Sequence, residues 1–178
     1  MRINHKLLLL LFFVISKPVF GQELIATKVS KEQPSTASWN FICENYILTG
    51  VAKVQVVKTD KGGTLKLAVE TNDPTFIISG TVYIYLADNS IITCSDKGIR
   101  ENIGNQIISY YTFSALEISK LKKNDIQSLR FNINGNRKKF SSQIGNFTAL
   151  NKQKYFFTSN DSSKKSYDTA QEITTLYK

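Results

Sequence analysis

The sequence predicts a mainly β fold of α+β character: an antiparallel sandwich or barrel-like sheet of about seven or eight strands, with one short internal helix and a C-terminal helix. Three observations carry this expectation. Leu65, Leu67 and Val69 alternate with Lys66, Ala68 and Glu70, and Val82, Ile84 and Leu86 alternate with Thr81, Tyr83 and Tyr85. That is the period-two pattern of strands with one buried face. Turn-forming clusters recur at short intervals, at Thr59-Asp60-Lys61-Gly62-Gly63, Asn72-Asp73-Pro74, Asp88-Asn89-Ser90 and Asn134-Gly135. Helical spacing is confined to two short segments near residues 115–123 and 168–177.

Residues 1–21 stand apart. Arg2 and Lys6 precede the apolar run Leu7 to Ile15, and Ser16, Lys17, Pro18, Val19, Phe20 and Gly21 follow it. A charged start, a short apolar centre and small residues at the end are the three parts of a secretory signal peptide, with cleavage expected after Gly21. The apolar run is about half of the roughly 20 residues that cross a bilayer, so no transmembrane anchor is expected after cleavage. The product is expected to be exported, periplasmic or extracellular.

Cleavage changes the composition. Removing residues 1–21 from the 178 leaves 157, with 20 basic and 14 acidic residues, so a net charge of +9 falls to +6. His5 is the sole histidine and Met1 the sole methionine, and both leave with the signal. Without imidazole, Ser-His-Asp and Cys-His nucleophiles are excluded, as are zinc sites that need histidine. Two cysteines cannot supply a four-thiolate site within one chain.

Taken in order, residues 22–38 read as an N-terminal linker with a short strand at Leu24 to Val29, and a single β-rich domain spans residues 39–178. Tyr46 to Lys58 is β-branched and aromatic and forms the first arm of a hairpin whose second arm is Leu65 to Glu70. Phe76 to Ala87 is a strand in which Gly80 marks a bulge or bend, and Ile91 to Cys94 is its hairpin partner. Ser95 to Asn105 is polar and reads as a loop. Gln106 to Phe113 is a strand. Ser114 then stands three residues before Glu117, the spacing of a capping box. A helix over Ala115 to Lys123 follows, with Ala115, Ile118 and Leu121 on one side and Lys120, Lys122 and Lys123 crowding its carbonyl end. Leu129, Phe131 and Ile133 form the next strand. Asn134-Gly135 turns it toward a return strand at Arg137 to Ile144. Gly145 to Phe157 fits either period, and Asn160 to Lys165 is a polar loop. Ala170, Ile173, Leu176 and Tyr177 share a helical face behind Asp168 as cap.

Cys43 and Cys94 lie in apolar strand contexts. In an oxidising compartment they form either one disulfide, closing a loop of about 50 residues and contributing roughly 4 kcal/mol, or two separately buried thiols.

Two surfaces are candidate binding sites. If Val82, Ile84 and Leu86 face the core, Tyr83 and Tyr85 share the other face, and Tyr110 or Tyr111 can join them to stack on a sugar or fill a protein interface. A covering layer over the same face is the alternative. Lys120, Lys122 and Lys123, together with Arg137, Lys138 and Lys139 beyond the Asn-Gly turn, can make a positive patch for an acidic glycan, a phosphate or an anionic membrane surface. A solvated helix end and a lysine-protected strand edge account for the same residues. Nucleic acid is not expected, because no recognition motif is present. No catalytic residue, metal site or cofactor site is assigned. The 14 acids are scattered without a convergent pair, and Asp60, Asp73, Asp88 and Asp96 mark turns without calcium-loop spacing. Asn146-Phe147-Thr148 and Asn160-Asp161-Ser162 match the N-glycosylation tripeptide. The expectation is an exported, non-enzymatic binding or envelope-accessory domain whose partner is a glycan or an envelope protein. Its alternative is a small, glycan-directed hydrolase of the envelope that works through carboxylates.

Overall fold

Alternating apolar side chains build most of the protein. The computed structural model describes residues 33–44, 50–135, 141–154 and 165–178. These form β1 (Trp39–Glu44), β2 (Val51–Thr59), β3 (Gly62–Glu70), β4 (Ile77–Leu86), β5 (Ile91–Cys94), β6 (Arg100–Ile103), β7 (Gln106–Ser114), α1 (Ala115–Leu121), β8 (Ile126–Asn134), β9 (Gly145–Leu150) and α2 (Thr169–Leu176). The described strands join one antiparallel sheet in the order β5-β4-β8-β9-β1-β2-β3-β7-β6. Leu65, Leu67 and Val69 of β3 enter one core with Trp39 and Phe41 of β1 and Phe131 of β8. The mainly β expectation is therefore met, as an open barrel-like sheet of nine described strands.

The surplus over seven or eight is explained by β6, in the polar stretch read as a loop. β6 buries little, but its backbone pairs with β7 from Arg100↔Ser109 to Ile103↔Gln106. The return strand also differs. Ser141 to Ile144 form a turn, in which Ile144 N–H donates to Ser141 O at 3.2 Å, and β9 pairs with β8 only from Gly145 onward. Gly80 does mark an irregularity: it has φ +77°, and the β4–β8 register shifts between Ser79 and Tyr83. The expected signal peptide, the strand at Leu24 to Val29, Tyr46 to Thr49 and Tyr155 to Lys164 lie outside the described residues.

The sheet curls until β7 meets the first half of β4, but side chains rather than a backbone ladder bridge that seam. Ser109 Oγ and Arg100 Nε both donate to Ile78 O at 2.9 Å. Gly80 N–H donates to Asp96 Oδ2 at 2.8 Å, Arg100 pairs with the same carboxylate, and Asn102 donates to Pro74 O. Buried backbone groups need partners, and short polar side chains supply them where the strands diverge.

The two helices pack on each other, and α1 packs against β3 and β7. Ser114 and Glu117 form the expected capping box around α1, with Ser114 N–H to Glu117 Oε2 at 2.7 Å and Glu117 N–H to Ser114 Oγ at 3.3 Å. Ile118 and Leu121 point inward, whereas Ala115 is exposed. α2 follows Asp168, but Asp125 supplies its cap, accepting from Ala170 N–H at 2.9 Å. Thr169 Oγ1 accepts from Ile126 N–H at 2.8 Å, which fastens α2 to the start of β8.

Candidate functional site

A groove of about 630 Å³ opens where the β2–β3 hairpin meets the two helices. Three segments line it: Lys58 to Gly62 from the hairpin, Ala115, Ile118, Ser119, Lys122 and Lys123 from α1 and the turn after it, and Thr174 and Tyr177 from α2 and its end. Four lysines face one acid, Asp60. Among the described residues, none of Lys58, Lys61, Lys122 and Lys123 makes an ion pair; the two pairs found there are Lys53–Glu70 and Arg100–Asp96.

The floor depends on the glycine pair of the hairpin. A Cβ on Gly63 would come within 2.6 Å of Tyr177 Oη and 2.8 Å of Ile118 Cδ1. One on Gly62 would come within 2.1 Å of Phe113 O. Gly62 lets the hairpin lie this close to the β7 backbone, and Gly63 leaves room for the Tyr177 and Ile118 side chains. Tyr177 Oη donates to Gly62 O at 2.6 Å, and burial pushes this phenol up to about 12, so it remains a neutral donor at physiological pH. Lys58 Nζ sits 5.4 Å from the centre of the Tyr177 ring, which presents its electron-rich face to the ammonium. Thr174 Oγ1 donates to Lys122 O at 3.1 Å and ties α2 to the turn after α1. The result is an apolar floor lined by Ala115, Ile118 and Tyr177 beside four lysines.

Of the lysines singled out in the sequence, Lys122 and Lys123 line the groove and Lys120 does not. Lys120 lies on the flank toward Asp88, whose carboxyl is held low mainly by Ser90, with Lys120 the smallest of the causes. Arg137, Lys138 and Lys139 lie outside the described residues. Lys58, Lys61 and Tyr177 carry no local signal of membership. The Gly62-Gly63 pair is the one trace in the sequence of a close approach at this place.

The tyrosines divide. Tyr83, 40% exposed, and half-buried Tyr85 do share the outer face of β4, beside Ile91 of β5 and Arg130 of β8. The expected partners do not join them. Tyr111 points into the core, 1% exposed, with its hydroxyl directed at Gly80 O at 3.4 Å. Tyr110 faces outward on β7 but is buried, with Lys66 Nζ 5.9 Å from its ring and its hydroxyl bonded to Glu101. Burial and the Glu101 carboxylate raise the Tyr110 phenol well above its ordinary range. The alternation of β7 sends Tyr110 and Tyr111 to opposite faces, and β7 is no ladder neighbour of β4.

Cys43 and Cys94 are separate buried thiols in this structure, with β4, β8 and β9 between their strands in the sheet. Desolvation pushes both up to about 12, which leaves them unreactive at neutral pH. Among the described residues there is no cluster of three or more histidine, cysteine, aspartate or glutamate side chains placed to hold a metal ion. No described helix is long and apolar enough to cross a membrane.

No protein-family model, curated protein or solved structure matches the chain.

Proposed function

We propose that the protein is an exported, non-enzymatic binding domain of the cell envelope, and that its groove engages anionic groups of an envelope ligand. One observation carries this reading: four lysines that make no ion pair among the described residues surround a groove lined by Gly62, where a Cβ would meet the β7 backbone. Concentrating like charge around a concave surface is unfavourable by itself and is relieved by an anion. The glycan-directed hydrolase reading needs two carboxylates facing each other across a cleft, and Asp60 is the single acid along this one.

Heparin-agarose, a sulfated-glycan matrix, tests the groove. Replacing Lys58, Lys61, Lys122 and Lys123 with glutamine is expected to lower the eluting salt concentration sharply. The same change at the exposed Lys97, Lys152, Lys154 and Lys165, none of which lines the groove, shifts it little. Equal shifts from both sets would mean that net charge alone is being read, and would remove the groove from the account. Export is tested separately. The amino terminus of the secreted form is expected to be Gln22, and an intact Met1 there would contradict cleavage.

A further inference from the structure

We infer that the anionic partner is a phospholipid bilayer surface, which the protein touches reversibly with Leu116 and the lysines of the groove. The inference rests on the groove reading and adds a second, apolar observation. Leu116 is 71% exposed, more than any other large hydrophobic among the described residues. It lies on α1 (Ala115–Leu121) with Ser119 three positions further on, the spacing of one helical side. Ser119 and the preceding Ala115 line the groove, so Leu116 stands at its rim rather than on a distant face.

A compact soluble anion would be served by lysines alone and gains nothing from an exposed leucine beside them. A bilayer uses both. Its headgroups carry the negative charge that lysines meet at the surface, and the adjoining acyl region accepts an apolar side chain. A short apolar contact with a polybasic patch gives reversible binding, because neither signal suffices alone. Two carboxylates are near. Asp60 lies on the groove, where four lysines outweigh it, and Glu117 is turned back onto Ser114 by the capping box. Lys120, on the other flank of α1, faces a third carboxylate, Asp88, and does not enter the groove.

Co-sedimentation of the exported chain with phosphatidylglycerol–phosphatidylcholine vesicles, with pure phosphatidylcholine vesicles as control, tests this directly. Binding is expected only to the anionic vesicles and is expected to fall as salt rises. Leu116→Ser should weaken vesicle binding about tenfold while leaving elution from heparin unchanged. Each groove Lys→Gln change should weaken it about fivefold. Equal binding to both vesicle types, or equal loss of heparin and vesicle binding in Leu116→Ser, would overturn the inference. So would vesicle binding that fails while lysine-dependent heparin retention persists, and that result leaves the groove reading standing. Failure of both vesicle and heparin binding would overturn both.

Discussion

Two regions of the barrel treat charge in opposite ways. At the seam, Arg100 meets Asp96, and Asp96 also accepts from Gly80 N–H at 2.8 Å and Gly98 N–H at 2.7 Å. Arg100 further donates to Ile78 O at 2.9 Å. Both of these charges have a structural task, which is to bridge strands whose backbone ladder stops short. Beside the helices, Lys58, Lys61, Lys122 and Lys123 surround a groove with no ion pair among the described residues, although Asp60 is beside them. Groups that hold a fold together are matched within it. Groups left unmatched around a concavity are available to something else.

Three variants separate these two regions, and a pH titration with a larger effect acts on the whole barrel. The Cys43 and Cys94 thiols rise from 9.0 to about 12, and Tyr111 and Tyr177 rise from 10.0 to about 12, all mainly through burial. A group with a raised native pKa contributes stability that is whole below its unfolded pKa and is lost as pH climbs through the native one. The fold is therefore expected to hold to about pH 9 and to unfold cooperatively between there and about pH 12, followed by far-ultraviolet circular dichroism. Stability unchanged up to pH 12 would show that these groups are not buried.

Gly62→Ala acts on the groove alone. Its Cβ meets a backbone oxygen at 2.1 Å, and φ there is +155°. Backbone gives way less readily than a side chain, so a loss of about 3 kcal/mol in urea unfolding is expected, with heparin retention reduced alongside. Asp96→Ala acts on the seam alone. It strips Arg100 of its partner and is expected to cost about 2 kcal/mol while leaving heparin elution where it was. Neutralising the four groove lysines should change unfolding by no more than about 1 kcal/mol, since Lys61 and Lys123 are exposed and half-buried Lys58 gives up only its contact with the Tyr177 ring. The two variants thus dissociate in opposite senses. Lost stability in the lysine variant would mean that these side chains support the fold.

What the sequence discloses follows the range of the interactions. The alternation of β3 and the Ser114–Glu117 capping box depend on residues within a few positions, and both are legible. β6 is not, because three of its four residues are polar and all four are half-buried to exposed, and only pairing with β7 makes them a strand. Half of the groove is visible as Lys122 and Lys123 at the end of a helix. Lys58 and Lys61 join them only after the β2–β3 hairpin folds onto α1, and Tyr177 arrives from more than a hundred residues away to bond Gly62 O. Tyr110 and Tyr111 were aromatic candidates by composition. Their pairing with β3 rather than β4 removes them from the Tyr83 face.

Amide chemical shifts during titration with a short heparin oligosaccharide test the central claim most directly. The account predicts saturable shifts at Thr59 to Gly62 and Ser119 to Lys123, with Asp96 to Arg100 at the seam unmoved. Shifts spread evenly over all exposed lysines, or confined to the seam, would contradict it.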